Sequence, residues 1–464
     1  MKSLVYVIFL SAIAALGGFL FGYDTAVISG TTEDVKVFYN LTDIEQGWYV
    51  SCAIFGCIIG VLMAGRLSDA FGRKPLLMAA AVLFSISSIG CAVYSGFDRL
   101  VLYRIIGGIG IGVASINAPL YISEISIPKY RGRMVACYQL ATTVGILASY
   151  FSNAAVLKWS QTVQYESGFL KLAINDQVWR GMLGMETIPA VLFLFILFLI
   201  PESPRWQVIK QYDDKALRTF GKIFSPDKAQ KEVDEIRDVL SREIKSDWRL
   251  LLKPGFRTAM IVGVSLSLIA QFMGGMAVFY YGPKFLGEAG LDKTASLDFQ
   301  VWVGLANVLS TVIAMMMIDR IGRKKLIYIG VSGMVILLTG IGLYFYSVAV
   351  GQTVSIRILF GLIFGYVFCA AISINVVIFV LLSEMYPAKV RGSAMSVAGL
   401  SIWIGAYLIG QLTPWLTTNL SPSGMFWLFA AMCIPYLLIA HFFLPETAGK
   451  SLEDIEREWT EKGK

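Results

Sequence analysis

The chain carries almost no histidine, little charge and only one polar stretch of any length. One histidine, His441, in 464 residues leaves no material for His-based catalysis or a His-rich metal site. His441 closes the last apolar run and reads as an interfacial residue. The six cysteines (52, 57, 91, 137, 369 and 433) are scattered inside apolar runs without metal-ligand spacing, and read as small core residues. No glycine-rich nucleotide loop follows a strand, and no period-2 alternation suggests an outer-membrane barrel. An enzyme is the poorest fit, and neither cofactor nor metal is expected. Charged residues make up 15% of the chain, against about 25% in a soluble domain.

What fills the chain instead is apolar: 56% of residues are hydrophobic, and the mean hydropathy is +0.67. Twelve apolar runs fall near 5–30, 46–67, 76–95, 100–123, 134–157, 180–200, 257–282, 300–318, 326–347, 355–383, 394–416 and 425–444. Each approaches the roughly 20 residues a helix needs to cross the hydrocarbon core. Helix is the required form, because lipid cannot satisfy backbone donors and acceptors. Lys2 precedes the first run in the manner of a signal peptide, but that run continues to about residue 30 with no small-residue cleavage site. The expectation is an all-α membrane protein of twelve transmembrane helices.

The chain also repeats itself. Gly65-Arg-Leu-Ser-Asp-Ala-Phe-Gly-Arg-Lys74 is answered by Asp319-Arg-Ile-Gly-Arg-Lys-Lys325. Glu124 stands seven residues before Arg131-Gly132, and Glu384 seven before Arg391-Gly392. Pro201-Glu202-Ser203 and Pro445-Glu446-Thr447 close the two halves. Charges recurring in one order at the ends of membrane-length runs imply two pseudo-symmetric six-helix bundles. The expected boundaries are 1–200 and 256–446 for the bundles, 201–255 for a cytoplasmic helical linker and 447–464 for a tail. Within the linker, Val233, Ile236, Leu240 and Ile244 recur at helical spacing, and Leu217, Phe220 and Phe224 suggest a second short helix.

The net charge of +7 does not call for nucleic acid. Its Arg and Lys residues cluster after even-numbered spans, as the positive-inside rule requires, whereas the opposite loop at 31–47 carries Glu33, Asp34, Asp43 and Glu45. Both termini are therefore expected in the cytoplasm of a cell-membrane protein. Topology alone does not account for the acidic members of the repeats, since carboxylates contribute little to orientation. Asp69, Arg73, Glu124, Arg131, Glu202, Asp319, Arg323, Glu384, Arg391 and Glu446 are read as interlocking ion pairs at a cytoplasmic gate. Asp24 sits about two-thirds along the first span, where an ionised carboxylate costs several kcal/mol unless paired. Its candidate partner inside the membrane is Arg104.

These motifs, with Gly22-Tyr23-Asp24, Tyr103-Arg-Ile-Ile-Gly107, Arg131-Gly-Arg133 and Pro201-Glu-Ser-Pro-Arg-Trp206, make the whole chain resemble a sugar porter of the major facilitator superfamily. It is similar to bacterial sugar–proton symporters and to human facilitative glucose transporters. The resemblance implies the twelve-helix fold of that superfamily and a monomeric transporter acting in the lipid bilayer. Proton-coupled members carry Asp at the position of Asp24 and facilitative ones tend to carry Asn, so symport of a monosaccharide or polyol with a proton is favoured over passive uniport. A membrane sugar receptor fits less well, because a long cytosolic output tail would be expected. Gln139, Gln271, Asn307, Asn375, Phe379 and Trp403 are the implied substrate-facing residues, with Asn375 and Phe379 replacing the family's usual contacts in span 10. Three usually polar positions are apolar here: Ala270, Met276 and Ile402.

Overall fold

Runs of apolar residues with few breakers give long helices, and the ends of those helices fall at glycines. The computed structural model describes residues 2–127, 130–242, 254–386 and 391–444. Helices α1 (Lys2–Tyr39), α2 (Asp43–Phe71), α3 (Arg73–Val93), α4 (Phe97–Ile125) and α5 (Arg131–Thr162) follow one another through short turns. The sixth span comprises α6 (Val178–Gly184) and α7 (Thr187–Ile196), joined by two residues that keep helical backbone angles. Three helices outside the apolar spans come next: α8 (Pro204–Ile209), α9 (Asp213–Phe220) and α10 (Pro226–Arg242). The second half contains α11 (Pro254–Gln271), α12 (Gly275–Glu288), α13 (Lys293–Ile321), α14 (Arg323–Ala349), α15 (Ile356–Ala370), α16 (Val376–Met385) and α17 (Arg391–Phe442).

Among the described residues, eleven helical segments are long and apolar enough to cross a membrane. The last, Ala394–Phe442, has 49 residues, about 74 Å at 1.5 Å per residue against a hydrocarbon core of about 30 Å. It breaks at Ser421 (φ 60, ψ 163), so it makes two passes. Twelve spans result, and the protein is a multi-pass membrane protein of the expected fold. Span 7 bends at Gly274, whose φ of 89 separates α11 from α12. Span 10 widens over Ala371–Asn375 between α15 and α16, the kind of local helix expansion that frees a backbone carbonyl.

One expectation needs correcting. The acidic segment 31–47 reads as a loop, but α1 runs to Tyr39 and α2 starts at Asp43. The cause is local: Val35 is buried, and Lys36 closes the helix by donating to Asp43 at 2.8 Å. The cysteines are free thiols, four of them buried.

By contacts the chain forms two compact units, residues 1–31 with 52–245, and residues 32–51 with 246–464. Inside the first unit α2 and α4 meet through small residues. A Cβ on Gly108 would fall on the Ala53 carbonyl, and one on Gly56 on the Ile105 carbonyl. Without a hydrophobic drive between helices in lipid, such close backbone approach is what holds spans together. The linker helices have their own core of Val208, Ala216, Phe220, Ala229 and Val233, flanked by Leu217, Phe224 and Ile236. The expected stripe residues Leu240 and Ile244 lie outside the described side chains.

Gly108→Val is expected to overpack the α2–α4 contact and lower the stability of the purified protein by about 1–3 kcal/mol. Gly361→Ala, on α15 with nothing near its would-be Cβ, is expected to leave it unchanged or slightly raised. Thermal unfolding of both variants in one lipid environment checks the pair.

Candidate functional site

The repeated Gly-Arg-Lys turns are built alike, one in each unit. Gly72 (φ 102) and Gly322 (φ 95) adopt left-handed backbone that a side chain would strain, which lets α3 and α14 start immediately after α2 and α13. Arg73 then reaches across to α4, its Nε and Nη2 clamping both oxygens of Glu124 at 2.9 and 3.0 Å. Its Nη1 donates to the Ser68 carbonyl at 3.0 Å and to Asp69 at 3.3 Å. Lys74 does different work: its Nζ donates to the carbonyls of Phe198 and Ile200, at 3.2 and 2.7 Å, closing the C-terminus of span 6.

Glu202 completes the first cluster. Its carboxylate accepts the backbone N–H groups of Arg73 (3.0 Å), Lys74 (3.2 Å) and Ser203 (2.6 Å). That places an anion on the positive end of α3. Burial pushes the Glu202 carboxyl above its ordinary range, opposed by those N–H donors and Arg73. Ser203 Oγ donates to Glu124 at 2.6 Å, and Trp206 Nε1 to the Asp69 carbonyl at 3.1 Å. The far end of α3 is closed with opposite charge: buried Arg180 donates to the carbonyls of Ala92 and Tyr94 at 3.2 and 2.8 Å.

In the second unit Arg323 donates to Glu384 at 2.9 Å and to the Ile318 carbonyl at 3.3 Å, as Arg73 does to Glu124 and Ser68. Lys324 Nζ closes the last span, donating to the carbonyls of His441 and Leu444 at 3.1 and 2.8 Å. His441 is exposed and shares a 3.1 Å hydrogen bond with Tyr328, as an interfacial residue would. Arg131 stands exposed on the first turn of α5. The side chains of Asp319, Phe379 and Arg391, and all of Glu446, lie outside what the structure describes.

Deep in the first unit Arg104 Nη1 meets Asp24 Oδ1 at 2.5 Å, both side chains almost fully buried. A third charged residue joins them that sequence reasoning missed. Glu186, 2% exposed, lies between α6 and α7, within electrostatic reach of both Asp24 and Arg104. The signal that marked Asp24, a carboxylate inside an apolar run, applied equally to Glu186. Two buried carboxyls thus stand beside one guanidinium.

The expected sugar-facing residues divide between the units. Gln139 is half-buried on α5 of the first. In the second, Gln271 ends α11 with its side chain against Gly405 of α17. Asn307 is buried on α13, and its Oδ1 accepts no hydrogen bond. Asn375 closes the widened turn of span 10, and Trp403 is half-buried on α17. Of the apolar replacements, Met276 and Ile402 are half-buried, whereas Ala270 is packed inside its unit.

Comparison with known proteins gives a consistent set of similarities. The sequence profile described as "Sugar (and other) transporter" matches residues 10–459. The arabinose-proton symporter of Bacillus subtilis is 37% identical over 98% of this chain and 96% of its own length. The D-xylose-proton symporter of Escherichia coli is 36% identical over the same shares of the two chains. Among solved structures, the inward open conformation of the xylose transporter XylE from E. coli superposes with a TM-score of 0.83 at 33% identity, covering 98% of this chain and 100% of that one.

Arg73→Ala is expected to destabilise the protein by about 3–5 kcal/mol, because it strands a buried carboxylate. Arg323→Ala is expected to cost less, since Glu384 is 24% exposed against 3% for Glu124 and water takes up part of the loss. Parallel thermal unfolding of the two variants checks the order.

Proposed function

The chain belongs to the sugar transporter family of the major facilitator superfamily, and on that footing we propose that it imports a monosaccharide or related polyol with a proton by alternating access. Relatives named as arabinose- and D-xylose-proton symporters support both the substrate class and the coupling. It is a transporter, not an enzyme. The observation that carries the coupling mechanism is the buried set Asp24, Arg104 and Glu186.

Two carboxylates and one guanidinium sum to a charge of −1, which a low-dielectric interior does not tolerate without a proton. Arg104 cannot give up its own proton, so a proton that neutralises the set is carried by a carboxylate. With one proton the set is neutral. A second proton on Asp24 neutralises the partner of Arg104 and leaves that cation to find other acceptors. The conformations open to the chain then differ with proton load, which is the requirement for coupling. Sugar hydroxyls stripped of water need replacement hydrogen bonds. Gln139, Gln271, Asn307 and Asn375 are the polar side chains proposed to supply them, with Phe379 and Trp403 as flat apolar surfaces. The unmatched Oδ1 of Asn307 supports this role, as a buried acceptor awaiting a donor.

The clusters around Arg73 and Arg323 are proposed to act as the cytoplasmic gate, with Asp319, Arg391 and Glu446 completing the second by analogy of sequence. The excess of Arg and Lys in loops on their side of the membrane supports cytoplasmic termini. Because one chain carries both halves, a monomer is the proposed functional unit, with residues 201–255 as the helical bridge between bundles 1–200 and 256–446.

Asp24→Asn is expected to abolish uphill accumulation while counterflow of labelled sugar persists. Wild-type accumulation in this variant under an imposed pH gradient would remove the coupling role. Gln139→Ala and Gln271→Ala are each expected to weaken sugar binding about 2- to 10-fold, the value of one net hydrogen bond. The double variant Met276→Asn, Ile402→Asn is expected to shift preference from deoxy toward fully hydroxylated hexoses, because an apolar wall penalises each hydroxyl turned to it. Competition binding over a sugar panel reads both effects.

A further inference from the structure

The seam between α1 and α5 in the first unit carries polar groups that neither the proposed sugar site nor the Gly-Arg-Lys clusters use. The two helices run side by side in the same direction, Gly18, Gly22 and Gly30 of α1 meeting Tyr138, Thr142 and Asn153 of α5 in order. At their tightest they touch backbone to backbone: a Cβ on Gly22 would fall on the Thr142 carbonyl, and one on Gly145 on the Phe19 carbonyl. Beyond that crossing the seam turns polar. Ser149 and Asn153 continue the stripe of Gly145 at helical spacing, with Ser152 beside them. Ser149 and Asn153 are fully buried. Asn153 Nδ2 donates to the Val27 carbonyl at 3.1 Å, and its side chain fills the space beside Gly30. That bond fixes the amide and leaves Oδ1 as its free end. Among the described residues Asn153 Oδ1, Ser149 Oγ and Ser152 Oγ have no hydrogen-bond partner.

The two serines forgo a simpler bond. A serine or threonine inside a helix can donate to a carbonyl one turn back, and on α5 Thr142 does so to Tyr138 at 3.0 Å, Thr143 to Leu140 at 2.9 Å and Ser160 to Leu157 at 2.7 Å. A buried polar atom left unpaired is costly, so three of them on adjacent turns call for partners of another kind. Residues three or four apart on a helix lie about 5–6 Å from each other, the span that one water covers with two hydrogen bonds. The polar run continues to the acids. Tyr23 of α1, 4% exposed, lies beside Ser152 and within electrostatic reach of Glu186. Asp24 Oδ2 and Glu186 Oε1 are likewise without a partner among the described residues. The thiols of Cys52 and Cys57 on α2 and Cys91 on α3 also stand within electrostatic reach of Asp24, but a thiol is a weak hydrogen-bond partner. We propose that bound waters seated on Ser149, Ser152 and Asn153, with the Tyr23 hydroxyl, form a chain along the α1–α5 seam, and that protons reach Asp24 and Glu186 through it from the side toward which α5 ends. This rests on the reading of the protein as a proton symporter. Each water accepts a proton from one neighbour and gives up another to the next. The last O–H bond formed is on a carboxylate, and the waters are left as they began.

The test uses the whole transporter in lipid nanodiscs and in proteoliposomes, with the double variant Ser149→Ala, Ser152→Ala and the single variant Asn153→Leu. X-ray radiolysis in heavy-oxygen water, which oxidises side chains beside bound water, is expected to label Tyr23 in the wild type despite its burial. Tyr281, whose buried hydroxyl donates to the Gly410 carbonyl at 3.0 Å, is the dry control and is expected to stay unlabelled. Labelling of Tyr23 is expected to fall in both variants. Proton entry into vesicles that accompanies D-xylose or arabinose, followed with an enclosed pH dye, is expected to slow about three- to tenfold in both, the effect of one lost hydrogen bond on a barrier. Counterflow of the same sugar and its apparent affinity are expected to hold. Tyr23 as unreactive as Tyr281 in the wild type would overturn the water chain, as would unchanged Tyr23 labelling in both variants. Proton entry that is unchanged in both, or that falls only in step with counterflow, would overturn the proton route. If the wild type moves no protons with either sugar, the symport reading fails, and the labelling alone still decides the water chain.

Discussion

A charge placed in hydrocarbon must bring its own counter-charge, and the arrangement of this protein follows from where that rule is met and where it is left one proton short. Asp24 and Arg104 alone would make a neutral, static pair, and buried pairs of that kind are weak contributors to stability. Glu186 changes the count. With it, two buried carboxyls share one guanidinium in this set, and under the proposed function a proton on one of them makes the set neutral. Three spans build the set: α1 supplies one acid, α4 the cation, and the turn between α6 and α7, which keeps helical backbone angles, the second acid.

The Gly-Arg-Lys turns show how one short motif ties three spans together. Glycine makes the corner, arginine reaches a carboxylate on a neighbouring span, and lysine caps the carbonyl end of the last span in its half. The two copies share this plan but not its depth. Arg73 and Glu124 are 5% and 3% exposed, whereas Arg323 and Glu384 are 13% and 24% exposed. Desolvation makes the first clamp costly to break, while water at the second lowers the penalty of parting its charges. Pseudo-symmetry of sequence therefore does not imply equal energetics: one corner is fixed and the other is looser.

Most of the fold was legible because membrane spans follow from length and hydropathy, and the repeat supplied the two-fold plan. Asp24, Arg104 and the Arg73–Glu124 link were legible for a related reason: a charge in an apolar run stands out, and its partner must be nearby. Glu186 stood out equally, but lies sixteen residues before Glu202 among many apolar side chains, and nothing in the pattern said that span 6 turns it toward Asp24 and Arg104. The separate role of Lys74 was not legible, since a basic pair reads as one feature until its two side chains are seen to take different acceptors. The helical character of 31–47 was hidden by its acidity, because charge density resembles a loop until the local pairing of Lys36 with Asp43 and the burial of Val35 are seen.

Proton site and gate are also joined by the chain itself. Helix α4 carries both Arg104 and Glu124, twenty residues apart, a separation of about 30 Å along a helix rising 1.5 Å per residue. The segment after α6 carries Glu186 and then leads directly to Glu202 and Ser203. Both residues of the first cluster that receive Arg73 or its backbone are thus on the same two segments that hold the proton-binding set. Under the proposed function, a change in charge at Asp24 alters the partners of Arg104, and the helix that carries Arg104 ends at Glu124, where Arg73 holds it.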